Sequence, residues 1–208
     1  MSPQEVVAAL GQGAVVLDMR PPRPFATAHL PGAVNLQFNR ADLADRAEMV
    51  LPTDVPYTVH AEPDPIARVA EQILCGVGFR VLGNLAGGLR AWRDAGQRVE
   101  ELPVIDVDQL HLDLSAYEVV DVREGYEYRH GHIAGAALLP SSEAWERASA
   151  TRGEKPLAVV CGDQVRSSLV ASILLRHGKE ALLVFGGMVD WLERGFEVEK
   201  SQPLAKPS

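Results

Sequence analysis

Apolar residues in this chain fall into short runs, separated by polar segments and by longer stretches with helical spacing. The first stretch, Pro3–Leu10, reads as an amphipathic helix. A short β-branched strand follows, ending in Asp18-Met19-Arg20. A polar segment comes next, then a central strand at Tyr57–His60, a helix at Ile66–Leu74 and a short apolar strand at Val81-Leu82. Gly87-Gly88 then precedes a helix that contains Trp92. The same order recurs further on. A helix at Asp106–Leu112 leads to a strand ending in Asp121-Val122-Arg123, and then to an apolar strand at Leu138-Leu139. Leu157–Val160, a helix at Ser167–Arg176, Ala181–Phe185, Gly186-Gly187 and a Trp191 helix complete the second round.

The recurrence is literal in places. Val16-Leu17-Asp18-Met19-Arg20 returns as Val119-Val120-Asp121-Val122-Arg123, and His29-Leu30-Pro31-Gly32-Ala33 as His132-Ile133-Ala134-Gly135-Ala136, both at an offset of 103. Ile73-Leu74 and Gly78 return at an offset of 100, and Gly87-Gly88 and Trp92 at 99. Small loop insertions and deletions produce such drift. Two long copies indicate a duplicated domain, because solenoid units are shorter and more numerous. Strands alternating with helices predict an α/β fold, two tandem domains with a largely parallel sheet in each, flanked by helices. The near-continuous apolar strands Leu157–Val160 and Leu182–Phe185 suit a sheet covered on both faces. The boundary is expected near the polar, Pro103-containing stretch 97–104, giving domains 1–102 and 103–208. Residues 143–156 read as a helix and loop inside the second domain, and the tail after Glu199 as frayed.

Composition narrows the classes. The 208 residues are 47% hydrophobic and 23% charged, an ordinary globular balance. A net charge of −8 argues against nucleic-acid and anionic-membrane partners. The opening residues lack a basic segment followed by an apolar one, and no apolar run reaches the ~18 residues that span a bilayer. A cytoplasmic chain is therefore expected. Its two cysteines, Cys75 and Cys161, are too few for a disulfide framework or a cysteine-rich zinc site. Reduced thiols and no metal or cofactor are expected.

The second cysteine is the sharpest chemical feature. In Val159-Val160-Cys161-Gly162-Asp163-Gln164-Val165-Arg166-Ser167-Ser168, an apolar strand ends at the cysteine, and a short loop leads to a helix starting near Ser167. Ligands of open α/β sheets bind outside the carboxyl ends of strands, where Cys161 falls. Loop N–H groups, the first helical turn and Arg166 are expected to favour the thiolate and to bind an oxyanion. Ser167 or Ser168 can cap the helix. Cys75, at the apolar end of a helix with no such loop, reads as a buried small hydrophobe. Asp18, Asp121, His29 and His132 occur in both copies and read as structural, as do Trp92 and Trp191. Arg123 is read as pairing with Glu124 or Glu127, or as adding to the field at the pocket.

These residues resemble the rhodanese family. Asp121-Val122-Arg123 with Tyr126–His132 and Gly135-Ala136 is similar to its N-terminal signature, and Val184-Phe185-Gly186-Gly187 with Trp191 to its C-terminal one. Cys161–Arg166 is similar to its six-residue active-site loop. The resemblance implies a thiosulfate sulfurtransferase type of enzyme. Cys161 would take a sulfane sulfur from thiosulfate or a mercapto acid, hold it as a persulfide and pass it to cyanide, a small thiol or a protein thiol. Arg166 would hold the anionic donor, and Gly162, Asp163, Gln164, Val165 and Ser167 would form the cradle. Gln164 stands where the family often has glycine. It could meet an unusual backbone angle at some cost, or project an amide as a recognition group. Asp163 places a negative charge beside an anion site.

The first copy lacks these features. At the offset of 100, Ala61 stands in the cysteine's place and Ile66 in the arginine's, and the intervening loop holds Glu62, Pro63, Asp64 and Pro65. The two prolines remove N–H donors, and the two acids repel anions. The first domain is expected to be non-catalytic, to pack on the second and to wall one side of the cleft. Two rivals to the transferase reading remain. One is a non-catalytic binding or sulfur-carrier module. The other is a cysteine-dependent phosphatase, whose loops place five residues between cysteine and arginine, where this chain has four, Gly162 to Val165.

Overall fold

The structure, a computed structural model, describes residues 1–200. It divides into two compact units, one of Met1–Leu102 and one from Pro103 onward. In the first, α1 (Pro3–Gly11) opens on a capping box, in which Ser2 and Glu5 satisfy each other's backbone N–H groups. It is followed by β1 (Val15–Asp18), α2 (Pro22–Thr27), β2 (Val34–Asn35), α3 (Leu43–Val50), β3 (Tyr57–His60), α4 (Asp64–Gly76), β4 (Val81–Asn84) and α5 (Gly88–Asp94). The strands form one sheet, all parallel, in the order β2-β1-β3-β4.

The second unit runs β5 (Val104–Asp106), α6 (Val107–Leu112), β6 (Glu118–Asp121), α7 (Gly125–His130), β7 (Ala137–Leu138), α8 (Ala144–Arg147), β8 (Leu157–Val160), α9 (Val165–Arg176), β9 (Ala181–Phe185) and α10 (Gly187–Glu193). Its sheet is also all parallel, ordered β5-β9-β8-β6-β7. Every residue of β8 and β9 is buried, which explains their unbroken apolar sequence. Val160, Val184, Met188 and Trp191 belong to one apolar cluster beneath the carboxyl ends of these strands. That cluster gives the loop after β8 a rigid floor. No helix among the described residues is long and apolar enough to cross a membrane.

The repeated motifs have the same structural job in both units. Asp121 accepts from the Arg123 side chain at 3.0 and 2.6 Å, and Arg123 donates onward to the Gly131 carbonyl at 2.7 Å. Asp18, Arg20 and the Ala28 carbonyl repeat this arrangement. The pair ties a strand end to the end of the following helix. Arg123 therefore pairs with Asp121, not with Glu124 or Glu127: both members are buried, and the guanidinium folds back over its own turn. His29 and His132 hydrogen-bond the carbonyls of Phe25 and Tyr128 through Nδ1 and stack on those rings. Trp92 and Trp191 are buried, with their indole N–H groups on the carbonyls of Arg98 and Glu197.

Two expectations fail here. Helix α9 begins at Val165, two residues before Ser167, so neither serine caps it. Cys75 is exposed. The buried stripe of α4 runs through Ala67, Ala70 and Leu74, and one residue past Leu74 the helix has turned by about 100° toward solvent. The frayed tail expected after Glu199 lies, from Ser201 on, outside the described residues.

Candidate active site

Strand β8 ends at Val160, and Cys161 is the next residue, fully buried at 0% exposure. Its Sγ accepts the Ser167 backbone N–H at 3.3 Å, a donor from the first turn of α9. The thiol proton has two acceptors in reach, Ser167 Oγ at 3.4 Å and Asp163 Oδ1 at 3.6 Å. Asp163 is held there because the same oxygen accepts the Val165 N–H at 2.8 Å. Gly162, Asp163, Gln164 and Arg166 have backbone N–H groups with no acceptor among the described residues. Gln164 has φ −136°, outside the left-handed region that favours glycine, so this loop needs no glycine at its fourth position.

Arg166 makes a two-pronged ion pair with Glu127, at 2.6 and 2.8 Å. Glu127 also accepts the Glu124 N–H at 3.0 Å, the capping box that starts α7. The acid is thus fixed from two sides, and the Arg166 guanidinium holds its carboxyl below the usual range. Glu127 was not among the predicted site residues. The signal that reveals it is the repeat. Glu127 and Arg166 are both present in the second copy, whereas Pro24 and Ile66 stand at those places in the first.

The loop is fixed from below by α10. Met188 and Val189 donate their N–H groups to the carbonyls of Cys161 and Gly162, at 2.8 and 2.9 Å. Gly187 makes this approach possible: its φ is +56°, and a Cβ there would lie 2.4 Å from the Asp163 carbonyl and 2.5 Å from that of Cys161. Gly187→Ala is expected to push the loop off α10 and to cost about 1–3 kcal/mol. Urea denaturation together with donor kinetics checks this. An alanine variant with native stability and activity would show that the contact is not needed.

A sequence profile of the Rhodanese-like domain matches residues 2–95 and again 106–194. The chain belongs to the rhodanese-like family. Among its relatives, a thiosulfate sulfurtransferase, GlpE, from Pseudomonas entomophila is 32% identical over 94 residues, covering 45% of this chain and 83% of that protein. A putative sulfur carrier protein, YrkF, from Bacillus subtilis is 28% identical over 144 residues, 64% of this chain and 78% of the other. An uncharacterized protein, YqhL, from the same species is 36% identical over 75 residues, and the match spans 36% of this chain and only 60% of YqhL. A rhodanese-related protein from Thermoplasma volcanium gives a TM-score of 0.46 at 32% identity, covering 48% of this chain and 99% of that one. Sulfurtransferase-type chemistry is thus supported at the level of the family.

The stabilisation of the thiolate expected from the loop and Arg166 is outweighed by burial. The thiolate is not favoured in this state. Burial pushes the Cys161 thiol up, the Ser167 hydroxyl and amide pull it down without offsetting that, Asp163 adds to the rise and Arg166 opposes it. A thiol cut off from water loses more from desolvation than the Ser167 hydroxyl, its amide and an already paired guanidinium return. Iodoacetamide at neutral pH is therefore expected to label the exposed Cys75 before Cys161. Labelling of Cys161 should rise with pH to beyond the ordinary thiol range, since a raised pKa delays deprotonation. Peptide mapping follows both sites. Prior labelling of Cys161 would refute the burial argument.

The rhodanese loop of the first unit is closed by its own acids. Ala61 is buried, Glu62 accepts the Leu89 N–H at 3.1 Å, and Asp64 accepts the Gly87 N–H at 3.0 Å. Arg20 Nη1 lies 3.7 Å from Glu62. Amides at the start of α5 are thus occupied by carboxylates of this unit.

Proposed function

We propose that the second unit is a sulfane-sulfur transferase of the thiosulfate sulfurtransferase type, working through a persulfide on Cys161, and that the first unit is non-catalytic. The observation that carries this reading is the placing of one thiol at the end of β8, on the Ser167 N–H, inside a loop with four further N–H groups without acceptors. In this reading Cys161 attacks the outer sulfur of the donor, and the donor's remainder leaves. The loop amides of Gly162, Asp163, Gln164, Arg166 and Ser167 stabilise the persulfide anion, as oriented N–H groups stabilise any localised negative charge, whereas the Val165 N–H, expected in the cradle, is taken by Asp163. Arg166 orients the donor while Glu127 holds it in place. A thiol, cyanide or a protein cysteine then removes the sulfur, completing a two-step exchange. In the first unit Ala61 supplies no nucleophile and Ile66 no cation.

The test is to weigh the intact protein after incubation with thiosulfate, 3-mercaptopyruvate or a small persulfide. A gain of one sulfur that is absent in Cys161→Ala supports the reading, and no gain with any of the three overturns it. A second reading, a carrier that holds sulfur without turning over, is favoured by the full burial of Cys161. A persulfide that forms but is not discharged by cyanide or thiols would select it.

A further inference from the structure

The charges around Cys161 are arranged against a doubly negative donor. The Arg166 guanidinium is committed to Glu127 at 2.6 and 2.8 Å, so the two together contribute about no net charge. The Asp163 carboxylate remains, pinned by the Val165 N–H with its Oδ1 3.6 Å from Sγ. An incoming dianion therefore meets a site with a net negative side-chain charge. Neighbouring Arg123 does not change this count, since it is bound to Asp121. The Ser167 N–H already lies on Sγ, where the charge of the persulfide itself develops.

We propose that Asp163 and Glu127 are specificity-determining residues, and that the donor is an organic persulfide with a thiol leaving group in preference to thiosulfate. This rests on the reading of Cys161 as the sulfur acceptor. The chemistry balances without an oxidant or reductant. In Cys161–SH + R–S–S⁻ → Cys161–S–S⁻ + R–SH, the bond between Sγ and the outer sulfur forms and the donor's S–S bond breaks. The thiol proton passes to the departing R–S⁻. With thiosulfate the same exchange, Cys161–SH + S–SO3²⁻ → Cys161–S–S⁻ + HSO3⁻, brings two negative charges to the site and must release an anion, where the persulfide releases a neutral thiol, past the uncompensated Asp163 carboxylate.

The experiment compares thiosulfate with cysteine persulfide, on the reduced full chain, as second-order rate constants for the gain of one sulfur on Cys161. The two donors differ in intrinsic reactivity, so the decisive quantity is how their ratio moves between variants. Asp163→Asn keeps an oxygen for the Val165 N–H and removes the charge. It is expected to shift the ratio toward thiosulfate by about 10-fold, the size of one partly screened charge acting over a few ångströms. Glu127→Gln releases Arg166 and should shift it in the same direction. A ratio unmoved in both variants overturns the specificity assignment while leaving the transferase reading intact. A wild-type protein that gains sulfur from neither donor overturns the specificity assignment, and the transferase reading falls with it only when 3-mercaptopyruvate also gives no gain.

Discussion

Asp121→Ala is expected to destabilise the second unit by about 3–5 kcal/mol, because it strands a buried guanidinium. Asp121 is fully buried, and Arg123 has a side-chain exposure of 9%. The two are joined by several hydrogen bonds, including one from the Arg123 backbone N–H at 3.0 Å. Removing the carboxylate leaves a charge that water cannot reach, and it leaves the backbone N–H unsatisfied. The guanidinium also loses its aim at the Gly131 carbonyl, 2.7 Å away, which closes α7 before His132. A surface pair of the same composition would cost under about 1 kcal/mol. Urea denaturation of the full chain separates the two cases. A loss below that figure would mean that the turn holds its shape without the pair. Asp18→Ala should behave alike in the first unit, where Asp18 and Arg20 make the same contacts.

This pair also illustrates how much could be read in the sequence. Asp-x-Arg stood out because it occurs in both copies, including one without a cysteine at the loop, and a structural role follows from that alone. The parallel sheets were legible because apolar strands buried on both faces alternate with helices. The Cys161–Arg166 loop was legible because it lies on contiguous residues. What could not be read depends on partners far along the chain. Glu127 reaches Arg166 across 39 residues of sequence, and neither residue signals the other except through their joint absence from the first copy. The state of the thiol is hidden in the sequence for the same reason. The loop's local dipoles are visible in sequence, but the desolvation that outweighs them comes from packing of β8, α9 and α10. Ser167 looks like a cap and so suggests a start for α9 two residues late, whereas Asp163 takes the Val165 N–H and the serine faces the sulfur.

Arg166→Ala is expected to lower kcat/KM for sulfur transfer by about 100-fold or more, the usual range for losing an oriented electrostatic group at a reacting centre. Two effects add. The cation beside the sulfur is lost, and Glu127 becomes an uncompensated carboxylate next to an anion site, which also raises the thiol further. The apparent pKa governing sulfur uptake should therefore move up, as seen in a pH-rate profile. Folding should suffer little, because the Arg166 side chain is 33% exposed and such pairs contribute about 1 kcal/mol or less. Arg166→Lys should recover only part of the activity, since an ammonium cannot reproduce the fork that engages both Glu127 oxygens. The double variant Arg166→Ala with Glu127→Gln should be more active than Arg166→Ala alone, because it removes the stranded charge. Equal activity of the single and double variants would show that Glu127 acts only as a tether. A fall in activity that merely tracks lost thermal stability would show that Arg166 holds the loop together and does nothing further for the sulfur.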